Sequence, residues 1–419
     1  MSFLPGRVDS RLPLSSFVPR ESWPNQKLKM FSIKFVPKAK LRFIGLHSLL
    51  AILLVAGIPQ NNVWAGESAS TPAFHPGEVW LDSNGAAINA HGGGMLFHDG
   101  TYYWFGEHKL DGLAGDVSQV GIHVYASKDL STWKDEGIAL AVSDDPQSDI
   151  VKGCILERPK VLFNQKTGKF VMWIHLELKG HSYAAARAAV AVADSVTGPY
   201  RYVESFRINP GILPKNPLEG GNLKTFHRDF KGGQMSRDMT LFQDDDGTAY
   251  TIYSSEDNQT LQIARLSEDY LRPSGEYVRI LPGMANEAPA MFKHKGRYFL
   301  ITSGTRGWKP CDARLATSES VLGNWVAQGT PCRGTKEQTE LTFESQSTYV
   351  FPIAGKNDAF IFMADRWRAG NPKDKAGLPV DRRYVWLPIH WDRNGLPFLT
   401  WKENWSMDFF DSPEFQSGS

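Results

Sequence analysis

Five polar residues stand at matched positions along this chain, each at the head of an apolar run: His91, Glu157, Asp238, Glu287 and Gln346. Counted forward to an aromatic residue in the run that follows (Tyr102, Phe170, Tyr250, Tyr298 and Phe360), the offsets are 11, 13, 12, 11 and 14 residues. Three of the five are carboxylates. Carboxylates gathered together push one another's pKa values apart, so one keeps its proton near neutrality and can donate it. Protonating a leaving oxygen while water or a nucleophile attacks the opposite face is what glycosidic-bond hydrolysis requires. Taken singly, each leader could be a solvated strand end; three in register make that reading costly. The chain has no Gly-x-Ser-x-Gly elbow, His-Glu-x-x-His pair, phosphate loop or dinucleotide fingerprint to support a competing chemistry.

The elements that must position these residues repeat with them. Each leader opens an apolar strand, a turn at Gly or Asp follows, and a second, aromatic-rich strand returns, as in His91-Gly-Gly-Gly-Met-Leu-Phe97 then Gly100-Thr-Tyr-Tyr-Trp-Phe105. Third strands are expected over 122–127, 189–194, 261–266, 315–318 and 384–389. Five such units predict an all-β fold, a five-bladed β-propeller whose leaders converge on one axis. No stretch carries amphipathic helical periodicity over three turns. Residues 201–236, rich in Pro, Gly and Lys, read as an insertion at the rim of the second blade. Residues 67–80 are expected to return to the last blade or cover its edge, because a closed ring needs its ends joined.

The 419 residues carry 46 basic and 45 acidic side chains, a balance that offers no patch for nucleic acid. Aromatic residues, 12% of the chain, suit both blade packing and sugar stacking. Cys154, Cys311 and Cys332 lack metal-ligand spacing, so no metal and no cofactor is expected. Cys311 and Cys332 flank one strand pair and could bridge in an oxidising compartment. Lys38, Lys40 and Arg42, the apolar run 43–58 and Val63-Trp64-Ala65 read as an export signal, with an uncleaved anchor as the alternative. Met30 is an alternative start. Residues 1–65 are therefore set aside as an N-terminal extension and cleaved signal. Residues 66–419 form one domain, expected to be periplasmic or secreted, monomeric and free of the membrane.

At these motifs the chain resembles glycoside hydrolase family 43 over essentially all of residues 72–410. The resemblance implies a propeller with an inverting mechanism. It implies that Glu287, in Glu287-Ala288-Pro289, is the general acid, and that Asp238, in Arg237-Asp238-Met239, orients that acid and tunes its pKa. The stretch Tyr125-Ala-Ser-Lys-Asp-Leu-Ser-Thr-Trp133 resembles the family's first-blade signature. The usual base, an Asp at the head of the first innermost strand, is replaced here by Asn89-Ala90-His91-Gly92-Gly93-Gly94. That absence, Glu157-Arg158-Pro159-Lys160 and Ser345-Gln346 are similar to a subgroup of exo-β-1,3-galactanases. By that likeness Gln346 holds the attacking water and Glu157 contacts the terminal galactose, although Glu157 could act as base instead.

The resemblance also implies that Glu107 binds a galactose hydroxyl. Tyr183 and Trp308 lie on loops beyond second strands, where Trp308 could stack on a sugar face or pack the rim; Arg366 and Trp367 are similar. His91 is either a hydrogen-bonded strand residue or a substrate contact. The expected substrate is an oligo- or polysaccharide of the β-1,3-galactan type. Arabinofuranoside or xyloside cleavage is the alternative, as is a non-catalytic sugar-binding propeller. A central calcium ion remains open.

Overall fold

Two of the five hairpins that carry the leaders close on two-residue turns. Asp99-Gly100 and Lys295-Gly296 have φ of 47° and 74°, and 48° and 80°, the doubly positive pattern whose twist matches paired antiparallel strands. The computed structural model describes residues 73–110, 117–307, 309–366 and 383–416, all within the unit Glu67–Ser419. The export segment therefore lies outside the described residues, as do Trp308 and Trp367.

After a short β1 (Ala73–Phe74), the chain builds four four-stranded antiparallel sheets in sequence order. The first holds β2 (His91–His98), β3 (Thr101–Lys109), β4 (Gln119–Ser127) and β5 (Lys134–Ala141). The second holds β6 (Ile155–Asn164), β7 (Lys169–Glu177), β8 (Arg187–Ala193) and β9 (Arg201–Phe206). The third holds β10 (Met239–Gln243), β11 (Ala249–Ser255), β12 (Thr260–Leu266) and β13 (Pro273–Ile280). The fourth holds β14 (Asn286–His294), β15 (Arg297–Gly304), β16 (Ala313–Ser318) and β17 (Val326–Gly329). Past β18 (Cys332–Arg333), a three-stranded sheet follows, made of β19 (Gln346–Pro352), β20 (Phe360–Arg366) and β21 (Arg383–Pro388). The chain then forms β22 (His390–Trp391), β23 (Pro397–Thr400) and β24 (Trp405–Ser406).

The propeller arrangement is present, but the expected count of five blades is corrected: among the described residues six blade-like sheets of three or more strands form. The sixth joins β18 to β23 in parallel, with Cys332 opposite Leu399, and β23 to β22 antiparallel, with His390 opposite Phe398. Its partners lie a whole repeat apart in the chain, so no local pattern announces the pairing. Around the axis, β2, β6, β10, β14 and β19 lie side by side in that order and β19 returns to β2; the sixth sheet supplies no strand there.

Apolar side chains fill the spaces between neighbouring sheets. One cluster joins the first two sheets through Phe105, Ile122, Leu156 and Met172. Another joins the fourth to the fifth and sixth through Phe292, Phe362, Leu387 and Leu399. Where the ring closes, Trp104, Trp133, Tyr384, Trp386 and Trp405 pack together, with Trp104 and Trp386 centroids 4.8 Å apart. The described part of the N-terminal segment returns to the last blade here: Gly77 N donates to Tyr384 O at 2.7 Å and Val79 bridges Arg383, while β1 pairs with β24. Tyr384 adds a polar bolt: its hydroxyl donates to Ile88 O at 3.0 Å and accepts from Ala90 N at 2.9 Å. Tyr384→Phe leaves both buried groups unpaired, and urea denaturation should register a loss of about 1–3 kcal/mol; an unchanged midpoint would contradict the bolt.

Two further expectations change. Residues 201–206 are β9, so the insertion begins after them and carries a two-turn helix, α1 (Leu223–Asp229). Cys311 and Cys332 are free buried thiols, as is Cys154.

Candidate active site

One backbone device turns three strand heads inward. Register slips immediately after His91, Glu157 and Glu287, and the next residue, Gly92, Arg158 or Ala288, has φ of 62°, 56° or 53°. A bulge with a left-handed residue kinks the strand and re-aims its side chains. For Arg158 and Ala288 that conformation costs roughly 1–2 kcal/mol each. Carboxylates from the preceding sheet hold all three. Gly92 N donates to Asp365 Oδ2 at 2.6 Å, Arg158 N to Glu107 Oε1 at 3.0 Å, and Ala288 N to Asp238 Oδ2 at 3.1 Å. At position 92 a Cβ would sit 2.1 Å from Glu107 Oε1, so any side chain there would displace the carboxylate that holds Arg158 N.

The pocket so formed, about 200 Å³, is lined by His91, Glu107, Glu157, Tyr183, Asp238, Glu287 and Gln346. These seven expected site residues thus lie on one cavity, whereas Arg366, also expected to touch sugar, does not: its guanidinium donates to Phe343 O at 2.7 Å and lies over the Trp401 ring. Arg158 ties its walls together. Its guanidinium donates to Ser347 O at 2.9 Å, to Asp238 Oδ2 at 3.1 Å and to Gln346 Oε1. Burial opposes its charge, but Asp238, Asp365, Glu107 and Glu157 outweigh this and hold it firmly protonated. Gln346 Nε2 donates to Ser303 Oγ at 2.7 Å, which fixes the amide from its other end.

Glu287 is pushed up to about 8 by burial and by the neighbouring Asp238 charge, against the opposing pull of Arg158, Asn258 and Arg237. Its Oε1 accepts from Asn258 Nδ2 at 2.5 Å. Asn258 ends a run of three left-handed residues, Glu256, Asp257 and Asn258, with φ of 54°, 55° and 63°. The buried Glu256–Arg279 pair, 2.6 Å apart, anchors that turn. A carboxyl that stays protonated beside an ionised partner is equipped to donate a proton.

Glu157 accepts from the Tyr183 hydroxyl at 2.7 Å and lies 3.1 Å from His175 Nδ1. Burial disfavours the charged imidazole, yet Glu157 and Glu177 on either side raise His175 to about 10. Glu157, His175 and Asp238 place ligand atoms within 4.8 Å of one another. That spacing would suit a cation, but an imidazole holding protons towards two carboxylates is a poor ligand. Glu107 is paired with Lys109 Nζ at 2.8 Å. His91 is buried, 3.6 Å from Asp365. Burial works against the Asp365 charge, but His91, Arg158 and the Gly92 N–H hold its carboxyl below the ordinary range. Beneath them Lys160 donates to Gly92 O at 2.8 Å, and burial, then Arg158, brings it down to about 7.

Sequence reasoning gave no role to Arg158, His175, Asn258 or Asp365. A signal existed for two of them. His175 stands opposite Glu157, and Asp365 opposite Gln346, in the same register that sets Glu107 opposite His91. Reading each leader across its own hairpin would have found a second ring of polar residues.

The sequence profile described as Glycosyl hydrolases family 43 matches residues 94–397. A β-1,3-galactosidase solved with galactodeoxynojirimycin is 52% identical, over 80% of this chain and all of that one, with a TM-score of 0.73. An exo-β-1,3-galactanase from Clostridium thermocellum is 32% identical over 80% of this chain and 66% of its own, with a TM-score of 0.68. The exo-β-1,3-galactanase from Phanerochaete chrysosporium solved with galactose is 32% identical over 83% and 70%, with a TM-score of 0.65. No curated protein matches.

Proposed function

Because the chain belongs to glycosyl hydrolase family 43, we propose that it releases galactose from the ends of β-1,3-linked galactans with inversion. The observation that carries this reading is the convergence of Glu287, Asp238, Glu157 and Gln346 on one pocket of about 200 Å³, with Arg158 binding Asp238 and Gln346, and burial and Asp238 both raising Glu287. The relatives' printed activities supply the sugar and the linkage. Glu287 passes its proton to the glycosidic oxygen as the bond to the anomeric carbon breaks. Asp238, pinned by Arg158 and the Ala288 N–H, stays beside the acid and keeps its proton available. Water forms the new bond from the opposite face and gives up its proton to solvent, from which Glu287 is reprotonated, so the first product anomer is α.

Gln346 orients that water. Arg158 draws on its amide oxygen, which makes it a weak proton acceptor and favours positioning over abstraction. Glu157 and Glu107, each held by hydrogen-bond donors, present fixed acceptors to sugar hydroxyls. Glu157 is the carboxylate that would take the water's proton in the alternative assignment. Gln346→Ala is expected to lower turnover about 10²-fold with the fold intact; near-normal activity would remove Gln346 from the mechanism. Azide should restore release in whichever of Gln346→Gly and Glu157→Gly has lost the group that handles the water.

The test of the whole reading is product identification across galactans and aryl glycosides. Galactose from a β-1,3-galactan is expected. Arabinose or xylose instead would reassign the sugar, and binding without product would reassign the protein as a lectin-like propeller. The basic leader, apolar run and small residues within 38–65 support export to the periplasm or beyond, which N-terminal sequencing of the mature protein would locate.

A further inference from the structure

Beside the sugar pocket lies a second, open groove, lined by Tyr183, Arg207, Arg228, Asp229, Arg237 and Asp257. Tyr183 and Arg237 line both cavities, so the groove continues from the pocket's mouth. The insertion after β9 supplies Arg207, Arg228 and Asp229, and the left-handed turn beside Glu287 supplies Asp257. Three guanidiniums therefore face two carboxylates, a surplus of positive charge.

The hydrogen bonding leaves donor capacity on two of these guanidiniums in the groove wall. Arg207 is committed to Ala184 O, Ala185 O and Asp229. Arg228 gives Nε and Nη2 to Asp229, both at 2.8 Å, while its Nη1 stays 3.7 Å from Asp257, beyond hydrogen-bond length. Arg237 donates Nη2 to Tyr183 O at 2.9 Å and holds it 3.6 Å from Asp257, again beyond hydrogen-bond length, while its buried Nε has no hydrogen-bond partner. Arg228 is half exposed and Arg237 one-fifth exposed, so an anion in the groove reaches both.

We propose that this groove is a subsite for an anionic substituent on the galactan, a uronic-acid carboxylate or a sulfate ester, held by Arg228 and Arg237. Guanidinium forks match both groups and hold them by charge-assisted hydrogen bonds. The proposal rests on the galactan reading above and adds a preference for charged, branched chains over neutral ones.

The test compares galactose release from neutral β-1,3-galactotriose with release from the same trisaccharide carrying a uronic-acid or a sulfate branch. Wild-type enzyme should show a lower KM for at least one charged substrate, and the two branches tell carboxylate from sulfate. Arg228→Gln should raise that KM about tenfold, the effect of one exposed charge-assisted hydrogen bond, and leave kinetics on the neutral trisaccharide unchanged. Added salt should erase the preference. Equal or poorer kcat/KM on both charged substrates, or an Arg228→Gln defect shared by the neutral one, overturns the subsite. If no trisaccharide is cleaved, the galactan reading fails on its own. Calorimetric binding of the charged branch to the Glu287→Gln protein, with and without Arg228→Gln, then decides the groove: binding that Arg228→Gln weakens supports it, and none overturns it.

Discussion

Glu287→Gln should lower galactose release from β-1,3-galactan by about 10²–10⁴-fold, the range for loss of a positioned general acid, while galactose binding persists. The amide keeps the shape and can still meet Asn258, but has no proton to give the leaving oxygen. Isothermal titration with galactose separates the two effects. Retained turnover would reassign the acid, and lost binding would mean that Glu287 chiefly shapes the pocket.

The same substitution has a pH signature. Burial and Asp238 push Glu287 up to about 8, so the native protein keeps a proton that the unfolded chain releases near the ordinary carboxylate value. The stability this contributes is present below that lower value and is lost as pH rises through about 8. Activity should fall over the upper part of the same window, as the acid loses its proton. Urea midpoints of wild type should therefore drop between mildly acidic pH and about 8, and Glu287→Gln should flatten that slope. A wild-type rate that holds steady well above pH 8 would show that the donor is some other group.

Arg158→Met is expected to cost about 3–5 kcal/mol of stability, because it removes the cation from a buried network and leaves its carboxylate unpaired. The numbers favour this over a mild effect. Arg158 is only 7% exposed and binds three groups from two other sheets: Ser347 O, Asp238 and Gln346. Its removal frees Asp238 to repel Glu287 more strongly and releases the Gln346 amide from its fixed position in the pocket, so activity should vanish with the stability. Lysine has one ammonium where the guanidinium has a planar fork, so Arg158→Lys should recover only part of either. A double-mutant cycle with Asp238→Asn should be strongly non-additive. Additive losses would mean that the two residues act independently.

The chain alone determined which side chains reach the axis. His91, Glu157, Asp238, Glu287 and Gln346 head runs of fixed polarity, and for His91 and Glu287 the hairpin turns at Asp99-Gly100 and Lys295-Gly296 set the depth by local geometry. A strand head and its turn are neighbours in sequence, so their relation is legible there. Tertiary structure decided what holds those heads in place. Arg158 meets Asp238 and Gln346 across 80 and 188 residues of chain, and Gly92 meets Asp365 across 273. It also decided the sixth sheet, since Cys332 pairs with Leu399 rather than with its own repeat. These partners are chosen by the closure of the ring, which brings distant carboxylates onto strained bulges. Local periodicity carries no information about contacts that exist only once the ring is shut.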